Sequence, residues 1–176
     1  MRQLARTDGL TKLYNHRAFQ ERLTQEVEHA RRYVRSLSLI LIDVDDFKHY
    51  NDLYGHPQGD RVLHDLARLL REVSRTSDTV ARYGGEEFAI ILPETDRMKA
   101  RTTGHRIREH VEHYPFPGEE HLPRGVLTIS VGAATYTWMD TKDTLLQSAD
   151  AALYRAKRAG RNRVCVAGES SSATPS

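Results

Sequence analysis

Carboxylates gather at two points where this chain must turn. One is Asp43-Val44-Asp45-Asp46, at the end of the apolar run Leu39-Ile40-Leu41-Ile42. The other is Glu86-Glu87, inside Arg82-Tyr-Gly-Gly-Glu-Glu-Phe-Ala-Ile-Ile-Leu92. Adjacent carboxylates repel unless a cation or substrate lies between them. Glycine tolerates positive φ and lets a ligand approach the backbone, so Gly84-Gly85 fits a ligand-binding hairpin tip and an ordinary solvated hairpin equally. Asp43 offers a hard oxygen ligand suited to magnesium. If the strand end and the hairpin tip are neighbours in one sheet, Glu86 shares that ion. Free backbone N–H groups from Asp46 through Phe47 to Lys48 could hold phosphate, while Asp45 or Asp46 is expected to cap the following helix.

Two further constellations depend on the fold. Asn51 falls late in one short helix and Asp60 in the expected first turn of the next, and the break between them could let both side chains converge. A carboxylate accepts from guanine N1–H and its exocyclic amine, and an amide pairs with its acceptor edge. A helix-terminal charge at Asp60 and a surface Asn51 explain the same residues without a ligand. Lys157 and Arg161, four apart at the end of a helix, could clamp a polyphosphate if that end lies beside Asp43. Basic residues complementing a helix dipole are the simpler reading.

The elements that must position these groups follow from periodicity and punctuation. Asn15 is a plausible N-cap for a helix over 17–33, apolar at Phe19, Leu23, Val27 and Ala30. Residues 36–44 read as a strand buried on both faces. A helix over 47–54 ends at Gly55, and one over 58–73 carries Val62, Leu63, Leu66, Leu69 and Leu70 on one face. A hairpin over 78–92 closes at Pro93. Asp96 starts a helix to about His113, and 115–125 is a Pro/Gly-rich loop. Residues 127–136 form a strand, 143–159 a helix stopped by Gly160, and 163–166 a last short strand. The succession β-α-α-β-β-α-β-α-β predicts an α/β sheet with helices packed on its faces.

Composition limits the function classes. With 176 residues the chain suits one domain, and 26 basic against 24 acidic residues is not the charge of a protein that coats a nucleic-acid polymer. No run approaches a membrane span, no signal peptide is evident, and the expected location is the cytoplasm. Cys165, the one cysteine, sits between Val164 and Val166 and reads as a buried thiol.

Four ordered motifs carry a resemblance. They are Asp8-Gly-Leu-Thr-Lys-Leu-Tyr-Asn15; Asp43-x-Asp-x-Phe-Lys-x-x-Asn51-Asp-x-x-Gly-His-x-x-Gly-Asp60; Arg82-Tyr-Gly-Gly-Glu86-Glu87-Phe; and Ala149-Asp-x-Ala-Leu-Tyr-x-Ala-Lys157-x-x-Gly-Arg161-Asn. Together, over about 4–166, they resemble the GGDEF family of diguanylate cyclases. The resemblance implies a central mixed, mostly antiparallel sheet of about five strands, similar to nucleotidyl cyclase and polymerase palm domains. It also implies condensation of two GTP into cyclic di-GMP with release of two pyrophosphates, by two domains meeting as a homodimer. By the same resemblance Asp43, the Val44 carbonyl and Glu86 hold magnesium, or manganese in its place, with Glu87 as a further ligand. Glu86 is the catalytic residue, Asn51 and Asp60 read guanine, and Phe47, Lys48, Lys157 and Arg161 hold phosphates, with Gly84 and Gly85 giving the nucleotide room. Arg75-Thr-Ser-Asp78, separated from Gly84 by residues 79–83, resembles the inhibitory site that binds the product.

Departures are few: His16 stands where the family often has arginine, and Glu86 where it often has aspartate. Family members usually carry a sensory or receiver domain first, so residues 1–7 are expected to end a signalling helix or linker. Residues 8–167 would be the catalytic domain and 168–176 a disordered tail. A silent receptor for GTP or cyclic di-GMP is the competing reading, opposed by the intact set of site residues. A cyclase making a mixed or monomeric cyclic nucleotide is another, opposed by the match of Asp60 to guanine.

Overall fold

A computed structural model describes residues 4–170. The chain opens with α1 (His16–Tyr33), where the Asn15 side chain accepts from Ala18 N–H as N-cap and Phe19, Leu23 and Ala30 are buried. β1 (Leu37–Val44) is buried at every residue. α2 (Phe47–Tyr54) and α3 (His56–Val73) follow, then β2 (Thr79–Arg82), β3 (Glu87–Pro93) and α4 (Arg97–Glu112), capped by Asp96. A 3₁₀ turn at Glu119–His121 precedes β4 (Ile129–Thr135), α5 (Lys142–Arg158) and β5 (Val164–Val166).

The five strands form one sheet in the order β2-β3-β1-β4-β5. All pairs are antiparallel except β4 with β5. This is the mixed, mostly antiparallel sheet expected, and the element succession agrees. Alternate residues of β1 explain why both its faces are apolar. Ile40, Ile42 and Val44 join Phe88, Ile90 and Val131 in a core with α2, α3 and α4. Leu37, Leu39 and Leu41 join Ala89, Ile91 and Ala134 in a second core with α1 and α5. Asp43 follows the second parity and so points toward α5.

Element ends differ from the sequence reading by one or two residues, and two of these differences have a visible cause. α3 begins at His56, because Gly55 at φ 85°, ψ 161° reverses the chain in a single residue and Pro57 fits the first turn. Asp60 is therefore the fifth residue of α3 and not in its first turn. α5 begins at Lys142 behind a capping box of Thr141 and Thr144. Within the stretch expected to be a tail, the Glu169 carbonyl accepts from Arg155 at 3.0 Å, and its carboxylate pairs with Arg101. Residues 171–176 lie outside the described residues, as do 1–3 at the other end; 4–7 are not helical. No helix among the described residues is long and apolar enough to cross a membrane.

Candidate active site

Pairing within the sheet joins the two carboxylate segments. Asp43 lies opposite Glu87 across β1 and β3, and Val44 N–H donates to the Glu86 carbonyl at 3.2 Å. A cavity of about 440 Å³ opens at this sheet end, lined by Asp43, Val44, Phe47, Lys48, Glu86, Lys157 and Arg161, with Asp45, Asp46, His49 and Asp52. Seven of the residues singled out in the sequence thus meet at one place. Asn51, Asp60, Gly84, Gly85, Glu87, Arg75 and Asp78 do not line it.

Lys157 reaches Asp43 because α5 lies unusually close to the sheet. A Cβ at Gly132 in β4 would stand 2.2 Å from the Leu153 nitrogen and 2.5 Å from the Ala149 carbonyl, so only glycine permits this approach. Ala149, Ala152 and Ala156 keep the facing side of α5 thin. Its last turn then places the Lys157 ammonium 2.7 Å from Asp43 Oδ2. Burial pushes the Asp43 carboxyl above the usual carboxylate range, against the pull of Lys157 and with a smaller push from Asp45. Glu86 is also raised, first by burial and next by the charge of Asp43.

Asp45 does something the sequence did not reveal. It is 3% exposed. Its carboxylate accepts from Thr128 Oγ1 at 2.8 Å, Ser130 Oγ at 2.6 Å and Asn162 N–H at 3.0 Å. It caps no helix. Asp46, the N-cap residue of α2, sits in the left-handed region at φ 56° and makes no side-chain capping bond either. The expected capping role therefore belongs to neither residue. Partners 83 to 117 positions away in sequence left no local signal for Asp45.

The hairpin tip is braced from one side. Arg82 donates through Nη2 to the Gly85 carbonyl at 2.8 Å and through Nη1 to Asp8 at 3.2 Å, while Asp8 also accepts from Thr11 N–H at 2.8 Å. The opening motif thus serves as a clasp on the hairpin. Neither Gly84 nor Gly85 has positive φ, contrary to the sequence argument. A Cβ at Gly84 would stand 2.7 Å from Glu87 Oε2, and at Gly85 it would meet open space. The Glu87 carboxylate lies against Gly84 and outside the cavity.

Asn51 packs against α3: a Cβ at Gly59 would fall 1.8 Å from Asn51 Oδ1. That oxygen is buried with no hydrogen-bond partner among the described residues. An orphaned buried acceptor is costly unless a ligand or water supplies a donor. Asp60, one residue beyond Gly59, is exposed. At a separate corner, Arg75 Nη2 donates to Asp78 at 3.1 Å, to the Pro93 carbonyl and to Thr95 Oγ1, each at 2.8 Å. Asp78 also accepts from the Arg75 backbone N–H. This corner borders a cavity of about 520 Å³ that Lys12, Tyr14 and Arg71 help to line.

Asp43, Glu86 and the strand-end carbonyls are all hard oxygen donors, and Asp43 already attracts an ammonium, so the site fits a divalent cation of the magnesium kind. No group of three His, Cys, Asp or Glu side chains converges among the described residues.

The family described as Diguanylate cyclase, GGDEF domain, matches residues 5–163. Probable diguanylate cyclase DgcC of Escherichia coli K12 is 41% identical over 161 residues, 91% of this chain and 43% of that protein. Diguanylate cyclase DgcP of Pseudomonas aeruginosa is 43% identical over 168 residues, 94% of this chain and 24% of that protein. The chain thus spans less than half the length of these curated relatives. Among solved structures, the GGDEF domain of DgcB from Caulobacter crescentus in complex with c-di-GMP superposes with TM-score 0.88 at 36% identity, covering 96% of this chain and 99% of that one. The active GGEEF domain of a diguanylate cyclase from Vibrio cholerae gives 0.82 at 34% identity, covering 89% and 98%. Agreement in sequence along nearly the whole chain, and in the path of the backbone, means that this protein belongs to the GGDEF domain family.

Proposed function

We propose that residues 8–167 form a diguanylate cyclase domain that condenses two GTP into cyclic di-GMP and two pyrophosphates. The observation that carries this reading is the convergence of Asp43, Glu86, Lys157 and Arg161 on one cavity at the end of β1. Each 3′-hydroxyl oxygen forms a bond to the α-phosphorus of the opposite GTP, the bond to pyrophosphate breaks, and the hydroxyl proton passes to a nearby base or to water. Asp43, the Val44 carbonyl and Glu86 would hold magnesium, or manganese, which when bound would polarise the hydroxyl and neutralise phosphate charge. Lys157, Arg161 and the backbone at Phe47 and Lys48 orient the phosphates. Burial makes Glu86 a stronger proton acceptor than a solvated glutamate, so base and ion-holding roles rest on one side chain. Glu87 is assigned as a further ligand, and Gly84 and Gly85 are assigned to keeping the tip slim enough for the nucleotide.

Asn51, with its orphaned acceptor, and Asp60 are assigned to guanine. One chain offers one such cavity, and a symmetric product needs two, so catalysis requires a homodimer. Arg75 and Asp78 are assigned to product inhibition. All the guanidinium bonds made by Arg75 among the described residues run from Nη2, which leaves Nε and Nη1 for guanine and phosphate. An upstream sensory or receiver domain acting through residues 1–7, and a cytoplasmic supply of GTP, complete the proposal. Incubation with GTP and magnesium at low and high protein concentration, with chromatographic identification of products, tests it. Cyclic di-GMP formed at a per-protein rate that rises with concentration is expected; bound GTP without product at either concentration would favour a receptor.

A further inference from the structure

The turn after α5 is held from two sides. Gly160, Arg161 and Asn162 run through three successive positive φ values, 124°, 64° and 46°, a path that residues other than glycine adopt only when contacts enforce it. On one side the buried Asp45 carboxylate accepts the Asn162 N–H at 3.0 Å, while the hydroxyls of Thr128, just before β4, and Ser130, in β4, fix that carboxylate. On the other, the Asn162 side-chain oxygen accepts from Arg108 of α4 at 2.9 Å and its amide donates to Glu112. Arg161 projects from the middle of this turn and lines the cavity with Asp43 and Glu86.

We infer that Asp45 is a positioning residue, whose buried carboxylate, together with Asn162, sets the Arg161 guanidinium for the phosphates of the nucleotide. The inference rests on the proposed phosphate role of Arg161. Asp45 also borders the cavity and adds to the negative charge beside Asp43, but its hydrogen bonds run to Thr128, Ser130 and the turn, so its loss should act chiefly through Arg161.

Calorimetric titration of the whole chain with GTP, and separately with guanosine, in magnesium buffer tests this. Asp45→Ala is expected to weaken GTP about tenfold, equivalent to about 1.4 kcal/mol, and to change guanosine by less than about twofold. Asp45→Asn should restore most of the affinity, since its amide oxygen can still accept from Thr128 and Asn162 while its amide donates to a reoriented Ser130 hydroxyl. In an Arg161→Ala background, Asp45→Ala should cost much less than it does in the parent, the signature of two residues acting largely as one unit. Asn162→Ala, which keeps the backbone N–H and severs the α4 arm, should show the same GTP-selective loss and stands in if Asp45→Ala fails to fold. Equal weakening of GTP and guanosine, or losses that multiply in the double variant, would overturn the inference. A parent chain that binds GTP without making cyclic di-GMP would sink the cyclase reading and leave the inference standing; one that binds no GTP would overturn both.

Discussion

Two corners of this molecule each pair a carboxylate with a cation, and they are built in opposite ways. At Asp43 the cation comes from Lys157, 114 positions away, and the carboxylate is buried. At Asp78 it comes from Arg75, three positions away, across a turn whose guanidinium is half exposed. The first pair exists only if the sheet closes, Gly132 admits α5, and the last turn of α5 lands over β1. The second needs little beyond the local turn, the β3 end and Thr95. Both carboxylates are buried; what differs is that one site needs the whole fold to bring its charges together, whereas the other needs only its own turn and the strand end beside it.

Substitutions can break that contrast. The largest effect on chemistry is expected from Glu86→Ala, which removes the second carboxylate of the cavity and should cut cyclic di-GMP formation by about a thousandfold or more. Residual turnover within tenfold of the parent would remove Glu86 from the centre. Gly132→Val should be the largest effect on folding. Its side chain would collide with backbone and not with a movable tip, at a cost of about 3 kcal/mol in denaturant unfolding, with activity lost through Lys157. Arg75→Ala takes a half-exposed cation away from the Asp78 carboxylate, whose side chain is 3% exposed, and should destabilise the fold by about 1 to 3 kcal/mol while abolishing inhibition by added cyclic di-GMP. Unchanged inhibition would leave that corner a structural turn.

The smallest effect concerns Asp8 and depends on pH. Burial tends to raise its pKa, but hydrogen bonds from Thr11 and the Arg82 guanidinium outweigh it, and the carboxyl lies below its ordinary value. A carboxylate with a depressed folded-state pKa stabilises the fold above its unfolded pKa and loses that contribution as pH falls through the folded value. Asp8→Asn should therefore destabilise the protein at neutral pH, with the difference shrinking below about pH 4, the ordinary aspartate range. A difference constant down to about pH 3 would mean that shape, not charge, matters in the clasp.

The same contrast explains what the sequence made legible. The buried strand β1, the amphipathic α3 and the caps at Asn15 and Asp96 leave periodic or local signals, and all appear, α3 starting two residues earlier than expected. The Asp43, Glu86, Lys157 and Arg161 group was legible because four ordered motifs carried it, not because spacing alone placed it. Asp45 was misread as a cap because its partners lie on β4 and beyond α5. The two glycines of the hairpin suggested positive φ, yet neither has it; a Cβ at Gly84 would meet the movable tip of Glu87 and one at Gly85 open space, so neither turn conformation nor backbone crowding accounts for them. Contacts between distant segments have no period, so they stay silent until the chain is folded.

The place of β1 in the sheet has a consequence for biogenesis. Both its neighbours, β3 and β4, come later in the chain, and the turn that carries Arg161 comes later still. At about 5 to 20 residues per second, roughly ten seconds of translation separate the appearance of Asp43 from that of the turn completing its surroundings. During that interval the most apolar strand of the protein is a nascent segment with unpaired edges on both sides, the stage at which a ribosome-associated chaperone would matter most.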